Sequence, residues 1–122
     1  MTKAARTVLV VDDHPSFRRT AAALLAAEGF EVVGEAEDGT SALALAAELA
    51  PDLVLLDIRL PDLDGFEVAA RLRAGDPGHG PAIILVSSRD RAEYGSLVET
   101  SGALGFVAKA ELSGAALDEL LE

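Results

Sequence analysis

Four short apolar segments of this chain each end on residues that carry chemistry. A run of aliphatic residues bounded by polar ones is typical of a strand buried on both faces of a sheet. The residues that follow the four segments are, in chain order, Asp12 with Asp13, Asp57, Ser87 and Lys109. The carboxyl ends of parallel strands line one edge of an open sheet, where ligands bind. If these strands are parallel, three carboxylates, a hydroxyl and an ammonium group converge there.

Strand-like and helix-like segments alternate along the chain. The predicted strands are 7–11, 31–36, 53–56, 82–86 and 105–108. The predicted helices are 15–28, about 40–49, 65–73 and 90–100, with a short last helix capped by Ser113. Right-handed crossovers place such helices on both faces of a parallel sheet. The sequence therefore predicts an α/β fold, a doubly wound (βα)5 sandwich around a central five-stranded parallel sheet.

Two helices carry features that bear on their stability. Gly95 lies inside the predicted fourth helix and costs about 1 kcal/mol relative to alanine. We therefore expect this helix to be the least stable of the five. The last helix offers Leu117, Leu120 and Leu121 on one side, and we expect these leucines to belong to the core.

Composition narrows the classes of protein. The 122 residues contain 10 basic and 21 acidic side chains, a formal net charge of -11, and no cysteine. We expect one domain over 1–122 that binds neither nucleic acid nor membrane surfaces, because both require clustered basic residues. The lack of cysteine excludes disulfides and thiolate metal sites. No basic start followed by an apolar stretch indicates a secretory signal, so we expect a cytoplasmic protein.

The converging side chains suit one kind of chemistry. Three carboxylates in one crevice repel each other unless a cation lies between them. Oxygen ligands without cysteine favour Mg²⁺. We interpret His14, which follows Asp13, as a helix-start residue and not as a metal ligand. A carboxylate can attack a phosphoryl group and form an acyl phosphate. Lys109 would place positive charge on the phosphoryl oxygens, and Ser87 would donate a hydroxyl. The set therefore favours phosphoryl transfer to the protein itself.

Over nearly its whole length, the chain resembles the receiver domains of bacterial two-component response regulators. The matching residues are the pair Asp12-Asp13, Asp57 within Leu55-Leu56-Asp57-Ile58-Arg59-Leu60-Pro61, the segment Asp64-Gly65, Ser87, Phe106 and Lys109. The resemblance implies a flavodoxin-like fold and a phosphorylation-dependent signalling switch. It also implies that the chain is no enzyme beyond its own aspartyl phosphorylation and dephosphorylation.

The resemblance assigns a role to each acid. Asp57 would accept a phosphoryl group from a phosphohistidine of a sensor histidine kinase or a phosphotransfer protein. Asp13, Asp57 and the main-chain carbonyl of Arg59 would bind Mg²⁺ directly, with Asp12 acting mainly through a metal-bound water. Arg59 and Arg89 are close in sequence to Asp57 and Ser87. We therefore expect them to influence hydrolysis of the phosphorylated state by shielding or ordering water.

The resemblance also implies how the signal leaves the site. Ser87 and Lys109 would contact the phosphoryl group, and Ser87 with Phe106 would form the switch pair. The hydroxyl moves toward the phosphoryl group, and the ring turns inward. Because Phe106 lacks a hydroxyl, we expect the readout to depend on ring packing. The face formed by the fourth helix, fifth strand and fifth helix would then change its affinity for a downstream protein or a missing output domain. Formation of a phosphorylation-dependent homodimer stays open.

One residue departs from the family pattern. The family's lysine is commonly followed by proline, often through a cis bond, whereas Lys109 precedes Ala110. A cis bond to alanine would cost about 2.5–4 kcal/mol. The isomer of this bond and the lifetime of the phosphorylated state are therefore open.

Other functions compete with the switch. The chain is also compatible with the receiver fragment of a larger transcriptional regulator. A metal-dependent phosphohydrolase would place a second acid two residues after its nucleophile, where this chain has Arg59. A flavin-binding module would need a Ser/Thr/Gly-rich phosphate loop after the first strand, where Asp12-Asp13-His14-Pro15 would repel phosphate. A receiver that never accepts phosphate is disfavoured because the acids, hydroxyl and lysine are all present.

Overall fold

A computed structural model describes residues 6–75 and 80–121 of the chain. The elements are, in order, β1 (Thr7–Val11), α1 (Pro15–Ala27), β2 (Glu31–Ala36), α2 (Gly39–Leu49), β3 (Leu53–Asp57), α3 (Gly65–Gly75), β4 (Ala82–Ser87), α4 (Leu97–Thr100), β5 (Gly105–Ala108) and α5 (Gly114–Leu121). Single 3₁₀ turns cover Arg91–Tyr94 and Lys109–Glu111. The strands form one sheet in the order β2-β1-β3-β4-β5, and every pair is parallel. The predicted α/β fold is confirmed.

Alternating side chains of the strands divide the core into two layers. On one face, residues such as Leu9, Leu56 and Leu85 pack with buried residues of α2, α3 and α4. On the other face, the neighbouring strand residues pack with α1 and α5, whose Leu117 is fully buried. The expectation that Leu117 belongs to the core is confirmed. With both faces of the central strands covered, the exposed part of the sheet that can hold polar chemistry is the strand ends.

Two strands are one residue longer than predicted, and both extra residues belong to the candidate site. β3 ends on Asp57 and β4 ends on Ser87. The ladder pairs Asp57 with Val86 and Ser87 with Ala108. Both side chains are thus attached to backbone that the sheet holds in place.

The prediction of one continuous fourth helix over 90–100 is wrong. The segment forms a 3₁₀ turn over Arg91–Tyr94, breaks at Gly95, and resumes as the single-turn α4. Gly95 has φ 58° and ψ −132°, a backbone conformation that residues with a Cβ rarely adopt. The glycine that was expected to weaken the helix instead interrupts it.

Some sequence expectations fall on residues outside the described part of the chain. Residues 1–5, which bear on the absence of a secretory signal, lie outside it, as do 76–79 and 122. The single domain over 1–122 therefore stays a prediction. Within the described residues, none of the helices combines the length and apolar character needed to cross a membrane.

Candidate acidic site at the carboxyl edge of the sheet

The sheet brings the predicted site residues to one edge. Asp57 and Ser87 end their strands, Asp12 and Asp13 follow β1, and Lys109 follows β5. All of them except Asp12 line an open cavity of about 390 Å³. Its lining residues are Asp13, His14, Asp57, Arg59, Leu60, Pro61, Ser87, Ser88, Arg89 and Lys109. The cavity is large enough for a metal ion and a phosphoryl group beside Asp57.

Two carboxylates, Asp13 and Asp57, line this cavity, and a third, Asp12, lies buried beside them. One oxygen each of Asp12, Asp13 and Asp57 and one nitrogen of His14 all lie within 4.8 Å of one another. Asp12 and Asp57 are buried. Asp12 Oδ2 and Asp13 Oδ1 are buried and accept no hydrogen bond of good geometry, although each has a nitrogen nearby, Lys109 Nζ and His14 Nδ1 respectively. Clustered carboxylate oxygens are the ligands that a hard divalent cation coordinates, so this donor set fits Mg²⁺.

His14 serves the start of α1, as predicted, and also contacts the acids. It is the N-cap residue of that helix, and its main-chain N–H donates to Asp12 Oδ1 at 2.8 Å. Its Nδ1 lies 3.1 Å from Asp12 Oδ1 and 3.0 Å from Asp13 Oδ1. The ring is 65 % exposed, so it covers the acids from the solvent side.

Lys109 is the cation that the structure places among the acids. Its Nζ lies 2.5 Å from Asp12 Oδ2 and 3.4 Å from Asp57 Oδ2. The same ammonium group lies over the ring of Phe17, 4.5 Å from the ring centroid. A cation over an aromatic face is attracted by the ring quadrupole. Phe17, in the first turn of α1, therefore holds Lys109 over the acids, a role that the sequence reasoning missed.

The environment of Asp57 changes its acidity. Burial, followed by the charge of Asp12, raises the pKa of Asp57 from 3.8 to about 6. The Arg59 main-chain N–H, which donates to Asp57 Oδ1 at 3.2 Å, and the Lys109 ammonium act in the opposite direction. Asp57 is therefore mainly ionised at neutral pH but more basic than an ordinary aspartate. Such a carboxylate is a better nucleophile and a tighter metal ligand once deprotonated.

Backbone contacts fix the two loops that carry the acids. Arg18 Nη1 donates to the main-chain carbonyl of Asp12 at 2.6 Å. In the loop after β3, Gly65 N donates to Ile58 O at 2.7 Å. A Cβ at Gly65 would lie 2.7 Å from both the Asp57 carbonyl oxygen and Ile58 Cα. Only glycine allows α3 to begin this close to the strand end that carries Asp57.

Ser87 has a partner that the sequence reasoning did not identify. Its Oγ lies 2.6 Å from Tyr94 Oη and accepts a hydrogen bond from the Arg89 main-chain N–H at 3.1 Å. The Tyr94 ring packs against Phe66 and against Phe106, with centroid distances of 5.8 and 6.1 Å. The expectation that readout depends on ring packing stays a prediction. The hydroxyl that Phe106 lacks is present on Tyr94, the chain's single tyrosine.

The loop after Lys109 takes one of the two forms that the sequence left open. Over residues 6–75 and 80–121 all peptide bonds are trans, including the bond from Lys109 to Ala110. Lys109 begins a 3₁₀ turn that ends at Glu111.

Comparison with known proteins identifies the architecture and its relatives. The family described as the response regulator receiver domain matches residues 8–121. The transcription regulator BvgA of Bordetella pertussis is 41 % identical over 104 residues, which are 85 % of this chain and 49 % of BvgA. A protein-glutamate methylesterase/protein-glutamine glutaminase of Anaeromyxobacter dehalogenans is 42 % identical over 118 residues, 94 % of this chain and 33 % of that protein. The chain thus spans half or less of these relatives.

A solved structure gives the same picture of the fold. The signal receiver domain of NarL from Mycobacterium tuberculosis superposes with a TM-score of 0.84 at 36 % sequence identity. The match covers 98 % of both chains.

Proposed function

From the premise that this chain belongs to the response regulator receiver domain family, we propose that Asp57 carries its signal as an acyl phosphate. The observation that supports this most strongly is the arrangement around that carboxylate. Asp57 is 2 % exposed at the floor of an open cavity, with the Lys109 ammonium on one side and the hydroxyl-bearing Ser87 at the end of the next strand. A nucleophile, a positive charge and a hydroxyl are the parts that phosphoryl transfer requires.

The reaction needs only one bond exchange. An Asp57 carboxylate oxygen attacks the phosphorus of a phosphohistidine on a kinase or phosphotransfer protein. The phosphorus–nitrogen bond breaks, and its electron pair stays on the imidazole nitrogen, which then takes a proton from solvent. Lys109 and the Ser87 hydroxyl lie where they can contact the phosphoryl oxygens. Transfer to water in place of imidazole reverses the modification, so we propose no external substrate and no other enzymatic activity.

The acidic residues would hold the divalent ion that this reaction uses. Asp13, Asp57 and the main-chain carbonyl of Arg59 are the proposed direct ligands, and Asp12 is the proposed indirect one. When bound, Mg²⁺ offsets the negative charge of the carboxylates and of the incoming phosphoryl group. Lys109 is paired with Asp12 and Asp57, so it offsets part of their negative charge before an ion binds.

The partners are proposed from the same premise. The phosphoryl donor would be a sensor histidine kinase or a phosphotransfer protein. The chain would act in the cytoplasm, where such donors are phosphorylated with ATP. The output would be a protein target or an output domain that binds the face formed by α4, β5 and α5. Since the chain spans 49 % of a transcription regulator and 33 % of a methylesterase, the receiver part of a larger regulator is the second proposal. The output domain, and not this acidic domain, would then contact DNA.

Acetyl phosphate with Mg²⁺ tests the acceptor assignment directly. Intact-protein mass spectrometry should show the addition of one phosphoryl group to the wild-type chain. Asp57→Asn should remove it, whereas the same substitution at the exposed Asp118 of α5 should label like wild type. Equal labelling of Asp57→Asn and wild type would show that the acceptor is another residue.

A further inference from the structure

The hydroxyl of Ser87 is hydrogen-bonded by two groups outside the acidic cluster. Tyr94 Oη lies 2.6 Å from Ser87 Oγ, and the Arg89 main-chain N–H donates to the same oxygen at 3.1 Å. Ser87 is 1 % exposed and ends β4. The sheet therefore fixes the backbone that carries this hydroxyl, and its two partners restrict where its proton points.

Counting protons and lone pairs restricts the polarity of these bonds, although either hydroxyl could donate in the Ser87–Tyr94 bond. A serine hydroxyl has one proton and two lone pairs. The Arg89 N–H can only donate, so it occupies one lone pair. A phenol is a stronger acid than an aliphatic alcohol, so Tyr94 is the better donor of the two hydroxyls and occupies the other. The Ser87 proton is then left free to donate to a third group.

The ring of Tyr94 is held in place by two other aromatic side chains. Phe66, from α3, meets it edge-on with an interplanar angle of 68°, and Phe106, from β5, packs at 53°. Such pairs stabilise one orientation of a ring beyond the burial of its surface. The hydroxyl of Tyr94 is thereby aimed at Ser87 from outside the cavity, since Tyr94 is not among the cavity-lining residues.

We propose that Tyr94 is a positioning residue that donates to Ser87 Oγ and so directs the Ser87 proton to a phosphoryl oxygen on Asp57. The proposal rests on the proposed function, because it needs a phosphoryl group at that carboxylate. Phosphoryl oxygens can only accept, so Ser87 must be the donor to them. A hydroxyl that accepts two hydrogen bonds is polarised and becomes a stronger donor. Tyr94 thus supplies from a neighbouring turn the hydroxyl that Phe106 lacks.

The first test uses the metal-free protein and does not depend on activity. The chain has one tyrosine and no tryptophan, so 3-fluorotyrosine incorporation gives a single ¹⁹F resonance that reports on Tyr94. Ser87→Ala should shift this resonance, whereas the matched Ser88→Ala should leave it in place. An unmoved resonance in Ser87→Ala would show that the two hydroxyls are not bonded in solution and would overturn the proposal.

The second test measures binding of beryllofluoride with Mg²⁺ by calorimetry, as a phosphoryl mimic. Tyr94→Phe keeps the ring and should weaken beryllofluoride about threefold to tenfold, the range for loss of one hydrogen bond. In a Ser87→Ala background the same substitution should have no further effect. Tighter binding by Tyr94→Phe would show that Ser87 gives its proton to Tyr94, and unchanged binding would show no coupling. Either result overturns the proposal.

Controls separate the possible failures. A wild-type chain that neither binds beryllofluoride nor labels with acetyl phosphate would contradict the proposed function itself. Binding by wild type with equal binding by Tyr94→Phe would contradict only the role of Tyr94. The urea midpoint of each variant checks folding. If Tyr94→Phe does not fold, the ¹⁹F comparison between wild type and Ser87→Ala still tests whether the two hydroxyls are bonded, which the proposal requires.

Discussion

Replacing Asp57 with asparagine is expected to stabilise the metal-free protein at neutral pH, although it removes the proposed acceptor. The carboxylate is 2 % exposed beside Asp12, and burial and that neighbouring charge raise its pKa from 3.8 to about 6. An acid whose pKa is raised on folding is ionised more easily in the unfolded chain. The free energy of unfolding therefore falls as the pH rises from about 4 through about 6, and the loss is complete above that range.

The size of the effect follows from the change in pKa. A difference of about two units corresponds to about 3 kcal/mol at pH values above both pKa values. Asparagine carries no charge, and its side-chain oxygen can still accept the Arg59 N–H. Lys109 keeps Asp12 as a partner. We therefore expect the stability advantage of Asp57→Asn over wild type to grow by about 2 kcal/mol between about pH 4.5 and pH 7.5.

Urea unfolding in the presence of EDTA, followed by circular dichroism at several pH values, measures this difference. Groups that titrate equally in both proteins cancel in the comparison. Asp118→Asn, on the exposed side of α5, removes one negative charge elsewhere and should show no such pH dependence. If the difference in free energy of unfolding between Asp57→Asn and wild type stays constant across this pH range, the raised pKa of Asp57 is refuted.

Added Mg²⁺ should narrow this stability difference between Asp57→Asn and wild type. A ligand that binds only the folded state raises its stability by about 1.4 kcal/mol at tenfold excess over Kd. Wild type should gain this stabilisation, whereas Asp57→Asn, which lacks one proposed ligand, should gain less. Equal gains in both proteins would show that the ion binds without Asp57.

Three further substitutions test how the site is held. Gly65→Ala should lower the free energy of unfolding by about 1–3 kcal/mol, because its Cβ would meet the Asp57 carbonyl oxygen. It should also slow labelling by acetyl phosphate. An unchanged urea midpoint and labelling rate would show that the loop after β3 can shift to accommodate the Cβ. Phe17→Leu keeps an apolar side chain but removes the ring under Lys109, and should weaken beryllofluoride about twofold to fivefold in calorimetry; equal affinity would show that the ring only fills space. Asp62 accepts hydrogen bonds from the first residues of α2, and these lower its pKa. Asp62→Asn should therefore lower the thermal midpoint at pH 7, with a deficit that shrinks as the pH falls below about 4, and a pH-independent deficit would contradict a role for its charge.

The parts of the fold that could be predicted from the sequence are those fixed by local patterns. Aliphatic runs of four residues mark strands that are covered on both faces, and the structure buries Val8–Val11 and Leu53–Leu56 completely. Once the strands are parallel, the residues after them must share an edge, whatever the details of packing. This is why Asp12, Asp57 and Lys109 could be grouped without any knowledge of side-chain contacts.

What could not be predicted depends on side chains that meet across the fold. Phe17 contacts Lys109 from a helix that follows a different strand, and Tyr94 contacts Ser87, Phe66 and Phe106 at once. None of these contacts has a spacing that a pattern of apolar residues would reveal. The positive φ of Gly95 could not be predicted either, because glycine within an apolar pattern is also compatible with a continuous helix.

The break at Gly95 separates two points of attachment. Before it, Tyr94 is bonded to Ser87 at the edge of the cavity. After it, Val98 of α4 is buried in the core, while its neighbour Leu97 is 52 % exposed. A continuous helix would force both attachments to move together, whereas the glycine allows the 3₁₀ turn and α4 to move separately. The Tyr94 ring, bonded to Ser87 and packed on Phe106, is therefore a contact between the cavity edge and β5 that does not run along a helix axis.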